Sequence, residues 1–311
     1  MYPTKIGRLE LPHFLCNAAG VWDTTLSQCQ QLENTAFCGA IVTKSCTANP
    51  RMGNKYPKYH FANPQFSINS NGFENGGLDY YLDLIHVNPV VFSIGGMSDE
   101  ERISMLSTFA NAKITIENAG IELNMSCPNL SHPGAAYDSK KLDETLRKIF
   151  EATGRISLPF GLKLPPYYLP EQFSSISEVI CNYDSQIDFI TCINSVPNGI
   201  DFDVDNNCPK IAPNDGYGGI GGPALLPIGL ANVRRFYQIF RNKKVDIAII
   251  GCGGIGCGAD VYKYMLAGAT AVQVGTHLWK NGPKVFKEIT DEFSHIMNRK
   301  GYTRLEEIPR C

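Results

Sequence analysis

The chain has 311 residues, 43% of them hydrophobic, and a formal net charge of −2. That length fits two average domains or one α/β barrel, and the apolar share is enough for a sizeable core. The near-neutral charge offers no basic surface for nucleic acid or an anionic membrane, and no run of about 18 apolar residues marks a membrane span.

The N-terminus, Met1-Tyr-Pro-Thr-Lys-Ile-Gly-Arg8, has no apolar h-region, so no secretory signal is expected and the chain reads as cytoplasmic. Eleven cysteines are scattered without a C-x-x-C pair, and Cys252 and Cys257 have no further ligands at zinc or iron–sulfur spacing. Free thiols of a reduced compartment are the simplest reading. None of the six histidines pair at i, i+4, so no metal is expected.

In chain order, Ile6-Gly-Arg-Leu-Glu-Leu11 alternates and predicts a hairpin plugging the bottom of a barrel. Short apolar runs then alternate with helical patterns. Strands are expected at His13–Asn17, Gly39–Lys44, Val90–Ile94, Gly120–Asn124, Phe160–Leu164, Phe189–Asn194, Ile247–Gly251 and Ala271–Gly275. The helices that follow them are expected at Leu26–Glu33, Leu78–His86, Asp99–Asn111, Lys140–Ala152, Glu171–Asn182, Leu230–Arg241, Ala259–Ala267 and Pro283–Arg299. Eight βα units in series predict a parallel sheet closed into a single (β/α)8 TIM barrel over residues 1–311. Two long loops, Ser45–Gly77 and Ser195–Pro223, leave the C-terminal ends of strands two and six, where barrel enzymes carry their sites. Long loops in compact domains are functional or disordered, and the Gly, Asn and Pro in these favour ordered turns.

Asn124-Met-Ser-Cys-Pro-Asn129 ends the fourth strand, because Pro128 lacks the N–H a ladder needs. A thiol, a hydroxyl and two carboxamides converge there. The amides suit a flat polar ring while Cys127 does acid–base work; as a bland alternative, Cys127 is a small buried hydrophobe. Gly251-Cys-Gly253-Gly254-Ile-Gly256 fits G-x-G-x-x-G, yet the next strand, ending Val272-Gln-Val-Gly275-Thr276, lacks the acidic residue that a Rossmann ribose site requires. The better reading is a phosphate site on the loops after strands seven and eight, for a mononucleotide such as FMN or for a sugar phosphate; the alternative is a tight turn that merely needs glycine. Lys44 and Lys163 each end a predicted strand, where a desolvated ammonium calls for a phosphate, a carboxylate or an anionic flavin; otherwise each snorkels to solvent. Asn69-Ser-Asn71-Gly72-Phe73 offers backbone N–H groups for an anion, or is a simple turn. Gly216–Gly222 is too glycine-rich for a helix and reads as backbone packed against a ligand, or as a mobile linker.

Taken together, these segments resemble the dihydroorotate dehydrogenases, specifically the cytosolic class 1A enzymes. The resemblance runs through Asn17-Ala-Ala-Gly-Val21, Val42-Thr-Lys-Ser45, Ser67-Ile-Asn-Ser70, Asp79-Tyr-Tyr-Leu82, Asn124–Asn129, Gly161-Leu-Lys-Leu-Pro-Pro-Tyr167, Asn194-Ser195, Gly216–Gly222, Ala231-Asn-Val-Arg234 and Gly251–Gly254. It implies FMN, oxidation of dihydroorotate to orotate in pyrimidine biosynthesis, fumarate as electron acceptor and a homodimer. Cys127 would remove the C5 proton, with Ser126 and Ser195 supporting proton movement and substrate placement, and hydride would leave C6 for the flavin. Lys44, Asn69, Asn124, Asn129 and Asn194 would hold the substrate, with Asn71, Gly72 and Phe73 beside them. Lys163 would stabilise the reduced flavin. Ala19, Gly20, Ser45 and Cys252 would line the cofactor site with Lys44, Asn124, Lys163 and Ser195, and Gly221, Gly222, Gly253, Gly254, Gly275 and Thr276 would hold the phosphate.

The chain departs from the family pattern at Asn71-Gly-Phe-Glu-Asn75, at Leu130-Ser-His-Pro-Gly-Ala135, and at Ala212 and Asn214. These changes surround the substrate while sparing the chemistry. Glu74 is expected to point to solvent, because the two residues before it have already passed the ligand; aimed into the pocket, its carboxylate would repel an anionic substrate. Two other readings compete: a flavin oxidoreductase of the same family with a shifted substrate, and a non-redox phosphate-binding barrel.

Overall fold

The computed structural model describes residues 1–62, 64–87, 89–111, 119–125 and 134–310. Eight parallel strands form the core: β1 (Leu15–Asn17), β2 (Ile41–Val42), β3 (Val90–Ile94), β4 (Ala119–Asn124), β5 (Phe160–Leu164), β6 (Phe189–Cys192), β7 (Ala248–Cys252) and β8 (Ala271–Val274). They pair in the order β1-β8-β7-β6-β5-β4-β3-β2, so each strand lies beside its sequence neighbour. The register runs, for example, from Val90↔Ala119 to Ile94↔Leu123 and on to Asn124↔Lys163. Between β2 and β1 a side chain continues the ladder. The Asn17 amide donates to the Val42 carbonyl at 2.7 Å and accepts the Val42 N–H at 2.8 Å, while Gly39 N–H reaches Leu15 O at 2.6 Å. The result is the expected TIM barrel.

The helices lie between successive strands: α1 (Leu26–Glu33), α2 (Leu78–Leu82, continued by a 3-10 turn Asp83–His86), α3 (Asp99–Asn111), α4 (Ser139–Thr153), α5 (Pro170–Asn182), α6 (Leu226–Lys243), α7 (Gly258–Ala267) and α8 (Val285–Lys300). Their ends follow local chemistry. Thr25 and Gln28 form a reciprocal capping box on α1, and Asp138 accepts the N–H groups of Lys140 and Lys141 at the start of α4. Helix α6 begins four residues before the expected Leu230, because Pro227 stands in its first turn. There the missing N–H has no intrahelical partner to lose. Among the described residues no helix is long and apolar enough to cross a membrane.

The N-terminal hairpin pairs Thr4–Ile6 with Leu9–Leu11 and closes the bottom of the barrel. Ile6, Leu9 and Leu11 pack against Val42, Val91, Phe189 and Ile250 from the barrel interior. Arg8 holds it there through a two-pronged contact with Asp188, Nε to Oδ1 and Nη2 to Oδ2, both 2.9 Å.

The opposite end carries a feature the strand pattern did not announce. The two long loops join in a four-stranded antiparallel sheet ordered Val196–Gly199, Gly218–Gly221, Phe66–Asn69, Tyr59–Ala62. Gly218–Gly221 is therefore a strand rather than a linker. Its glycines suit a crowded pairing: a Cβ on Gly218 would lie 2.5 Å from the Asn69 carbonyl oxygen. His60 Nε2 of the first loop lies 3.5 Å from Asp201 Oδ2 of the second, and the Lys210–Asp203 ion pair braces the second loop internally.

Candidate active site

A cavity of about 400 Å3 opens at the C-terminal ends of the strands, beneath this loop sheet. Its wall contains Ala19, Gly20, Lys44, Ser45, Asn69, Asn71, Gly72, Phe73, Asn124, Lys163, Asn194, Ser195, Gly221, Gly222, Cys252, Gly253, Gly254, Gly275 and Thr276. The fold thus brings together in one place nearly every residue singled out in the sequence. Ser126, Cys127 and Asn129 lie outside the described residues.

At one end of the cavity the backbone is shaped by glycine. Gly253 and Gly254 have φ of +122° and +75°, and a Cβ on Gly254 would fall 2.4 Å from the Leu226 nitrogen. Only glycine allows that turn after β7. The hydroxyls of Thr276 and Ser67 meet at 3.2 Å beside Gly221, leaving no room for a side chain there: a Cβ would stand 2.8 Å from Thr276 Oγ1. Backbone turns and hydroxyls without a bulky side chain form an anion cradle.

At the other end, polar groups converge on the cavity. Asn194 donates to Asn124 Oδ1 at 3.3 Å, Asn124 donates to Ser45 Oγ at 3.0 Å, and Ser45 meets Ser93 at 2.8 Å. Lys44 lies just past β2 rather than at its end, and only 9% of it is exposed. Its ammonium has no hydrogen bond or salt bridge among the described residues, although it is nearly buried. A buried cation with no directly bonded anion, facing a cavity, is costly unless a ligand supplies one.

Lys163 is compensated. Its Nζ donates to Gln273 Oε1 at 2.5 Å, Gln273 Nε2 donates to Glu122 Oε2 at 2.7 Å, and Thr191 Oγ1 donates to the same oxygen at 2.7 Å. Burial alone would push the Lys163 amine down, but Cys252 and the Glu122 carboxylate together push it up. The fold therefore keeps Lys163 charged. Burial raises Cys252 and Cys192 more than the nearby Lys163 lowers them. Sequence reading passed over Glu122, Thr191 and Gln273. The signal was a polar side chain inside an otherwise apolar parallel strand, which the barrel interior admits only with a partner.

Glu74 stays outside the cavity wall, its side chain 37% exposed while it pairs with the buried Lys58 at 2.5 Å. Asn71, Gly72 and Phe73 do line the cavity.

Fold and cavity together define a barrel protein with a mononucleotide-sized site at the strand ends. A family model described as dihydroorotate dehydrogenase matches residues 1–297, and the chain belongs to that family. It is 39% identical over 308 residues to a probable dihydroorotate dehydrogenase A (fumarate) of Enterococcus faecalis, covering 96% of this chain and 94% of that one. It is 41% identical over 301 residues to the dihydroorotate dehydrogenase (fumarate) of Trypanosoma cruzi, covering 94% and 92%. A crystal structure of DHODH in complex with ferulenol from Eimeria tenella superposes with a TM-score of 0.78 over 99% of this chain and 87% of that one, at 20% identity, and bears on the fold. The family is flavin-dependent and acts on small-molecule substrates.

Proposed function

We propose that this protein is a class 1A dihydroorotate dehydrogenase: a cytoplasmic, homodimeric, one-domain barrel that oxidises dihydroorotate to orotate with FMN and passes the electrons to fumarate. The observation that carries the reading is the pairing of two cavity ends. A glycine and hydroxyl cradle fits a phosphate monoester, and an amide cluster between two lysines fits a flat polar ring beside an anion. The donor set thus fits FMN.

Gly221, Gly222, Gly253, Gly254, Gly275 and Thr276 would hold the phosphate. Ala19, Gly20, Ser45 and Cys252 would hold the ring system, to which Lys163 would supply a fixed positive charge. Lys44 takes the substrate carboxylate, with Asn69 and the Asn71–Phe73 backbone alongside. Asn124, Asn129 and Asn194 orient the substrate ring by hydrogen bonds, so its reacting carbon meets the base in one geometry. Cys127 takes the C5 proton, and Ser126 and Ser195 place the substrate and carry protons. A thiol suits that task because its ordinary pKa, about 8.5, lies near the working pH. When bound, FMN supplies the two-electron acceptor for the hydride that leaves C6.

The test is anaerobic mixing. The purified protein should be yellow, dihydroorotate should bleach it with formation of orotate, and fumarate should restore the colour. Protein that stays colourless after FMN is added would refute the flavin reading. Yellow protein that dihydroorotate fails to bleach would move the substrate assignment to another member of the family's substrate class.

A further inference from the structure

Asp23 lies in the turn between β1 and α1, directly behind the cavity wall. It is fully buried. Oδ2 accepts the Gly20 N–H at 2.6 Å, but Oδ1, also buried, finds no hydrogen-bond partner among the described residues. Gly20 in turn touches Lys44: a Cβ on it would lie 3.1 Å from Lys44 Nζ. Two half-satisfied opposite charges therefore flank one glycine, yet no salt bridge within 4.0 Å joins them.

The other titratable groups that pack on Asp23 stay neutral. From α1, the Cys29 thiol donates to the Asp23 carbonyl at 3.7 Å and is pushed up to about 12, by burial first and by the Asp23 charge second. From α2, the Tyr81 hydroxyl donates to Thr24 O at 3.1 Å and is also raised by burial and then by Asp23. Cys46, beyond Tyr81, is pushed up to about 12 by burial. Lys44 is thus the one charged neighbour among the groups acting on Asp23. An anion seated on Lys44 adds a second negative charge next to the same cation, in a region of low dielectric where like charges repel strongly.

We propose that Asp23 is a positioning residue for the anion site: it carries a proton while an anionic ligand occupies Lys44 and releases it when the ligand leaves, so each binding event takes up a proton from solution. The inference rests on the proposed seating of the substrate carboxylate at Lys44. In the free protein, burial raises Asp23 to about 7 against the opposing pull of Lys44 and of the Gly20 N–H. The carboxyl is therefore poised to take the proton at neutral pH. Ligand and proton then bind together, and affinity for the anion falls as pH rises above 7.

The experiment titrates orotate into FMN-loaded wild type and Asp23→Asn, by calorimetry in buffers of different ionisation heat. Asparagine keeps an acceptor for Gly20 N–H and removes the titration. Wild type should take up a fraction of a proton near pH 7.5 and lose about tenfold in affinity between pH 6.5 and 8.5. Asp23→Asn should take up less and hold its affinity across that range. An uptake unchanged by Asp23→Asn would overturn the proposal and leave the substrate site standing. Orotate that binds neither protein would overturn the substrate reading and this inference together. Difference infrared spectroscopy of the wild type alone gives an independent answer if the variant fails to fold. A protonated-carboxyl C=O band should grow on orotate binding at pH 7.5, and its absence would refute the assignment.

Discussion

Glu122→Gln tests whether the barrel interior stores its charge for the site. The wild-type carboxylate is fully buried and receives two hydrogen bonds on Oε2, from Thr191 and Gln273 at 2.7 Å each. A glutamine can keep both donors on its oxygen, so the loss is chiefly one of charge. Turning charge-assisted bonds into neutral ones costs roughly 1 kcal/mol apiece. Lys163 also loses the carboxylate that offsets its burial. The two buried charges are bridged by Gln273 and are not in direct contact, so the expected destabilisation at pH 7 falls below the roughly 3–5 kcal/mol that breaking a direct buried pair costs. The sign of its pH dependence follows. Without Glu122 one of the groups that raise Lys163 is gone and burial counts for more, so the folded variant holds that proton less tightly than the folded wild type. The variant should recover stability as pH rises toward 9 relative to wild type.

The assay is urea unfolding followed by the fluorescence of Trp22 and Trp279, for wild type, Glu122→Gln, Lys163→Met and the double variant. Removing both charges should cost less than the sum of the single changes, by about 1–3 kcal/mol. The flavin midpoint potential should fall in Glu122→Gln, since a less fully charged Lys163 favours the reduced cofactor less. Additive costs within about 0.5 kcal/mol, with an unchanged potential, would refute the reasoning.

Four further outcomes are expected. Lys44→Ala should weaken orotate at least tenfold by removing the cation opposite its carboxylate, with FMN retained, as read by flavin difference spectra. Cys127→Ser should nearly abolish flavin reduction by dihydroorotate at pH 7 and recover part of it at high pH, since an alcohol is a poor base; wild-type-like reduction at pH 7 in a stopped-flow trace would remove Cys127 from that role. Gly254→Ala should lower FMN affinity about tenfold or more, because φ +75° and a 2.4 Å approach to Leu226 N leave no place for a methyl group; ultrafiltration of the yellow protein measures it. Burial pushes His13, whose two ring nitrogens have no hydrogen-bond partner among the described residues, down to about 3, so stability should fall as pH drops below 6.5; His13→Phe should flatten that acid limb in urea midpoints between pH 7 and 4.5.

How far the sequence carries can be argued residue by residue. The runs Val90–Ile94 and Phe160–Leu164 match the observed strands because buried parallel strands are apolar on both sides. Leu26–Glu33 and Asp99–Asn111 match because their ends and periodicity agree. The loop sheet was hidden for the opposite reason. Gly219 pairs with Asn69, 150 residues away, so no local pattern encodes the contact. The cavity residues were legible where chemistry is unusual for its position, as with Lys44, Lys163 and the glycine pairs. Asp23 was not, because an aspartate in a turn has an ordinary local explanation, and only the folded neighbours reveal that it is buried.

That difference bears on how the site is built. Lys163 and Lys44 stand at the cavity in contrasting states, one wired through Gln273 to Glu122 and one with no partner among the described residues. A cation already hydrogen-bonded within the protein has less to gain from a new anion than one with no directly bonded anion. The substrate anion should therefore be drawn to Lys44 and not to Lys163, although both amines line the same cavity. On the proposed reading, Lys163 is then left as a fixed charge for the flavin. Glu122, a buried carboxylate that reaches Lys163 through Gln273, is what sets the two lysines apart.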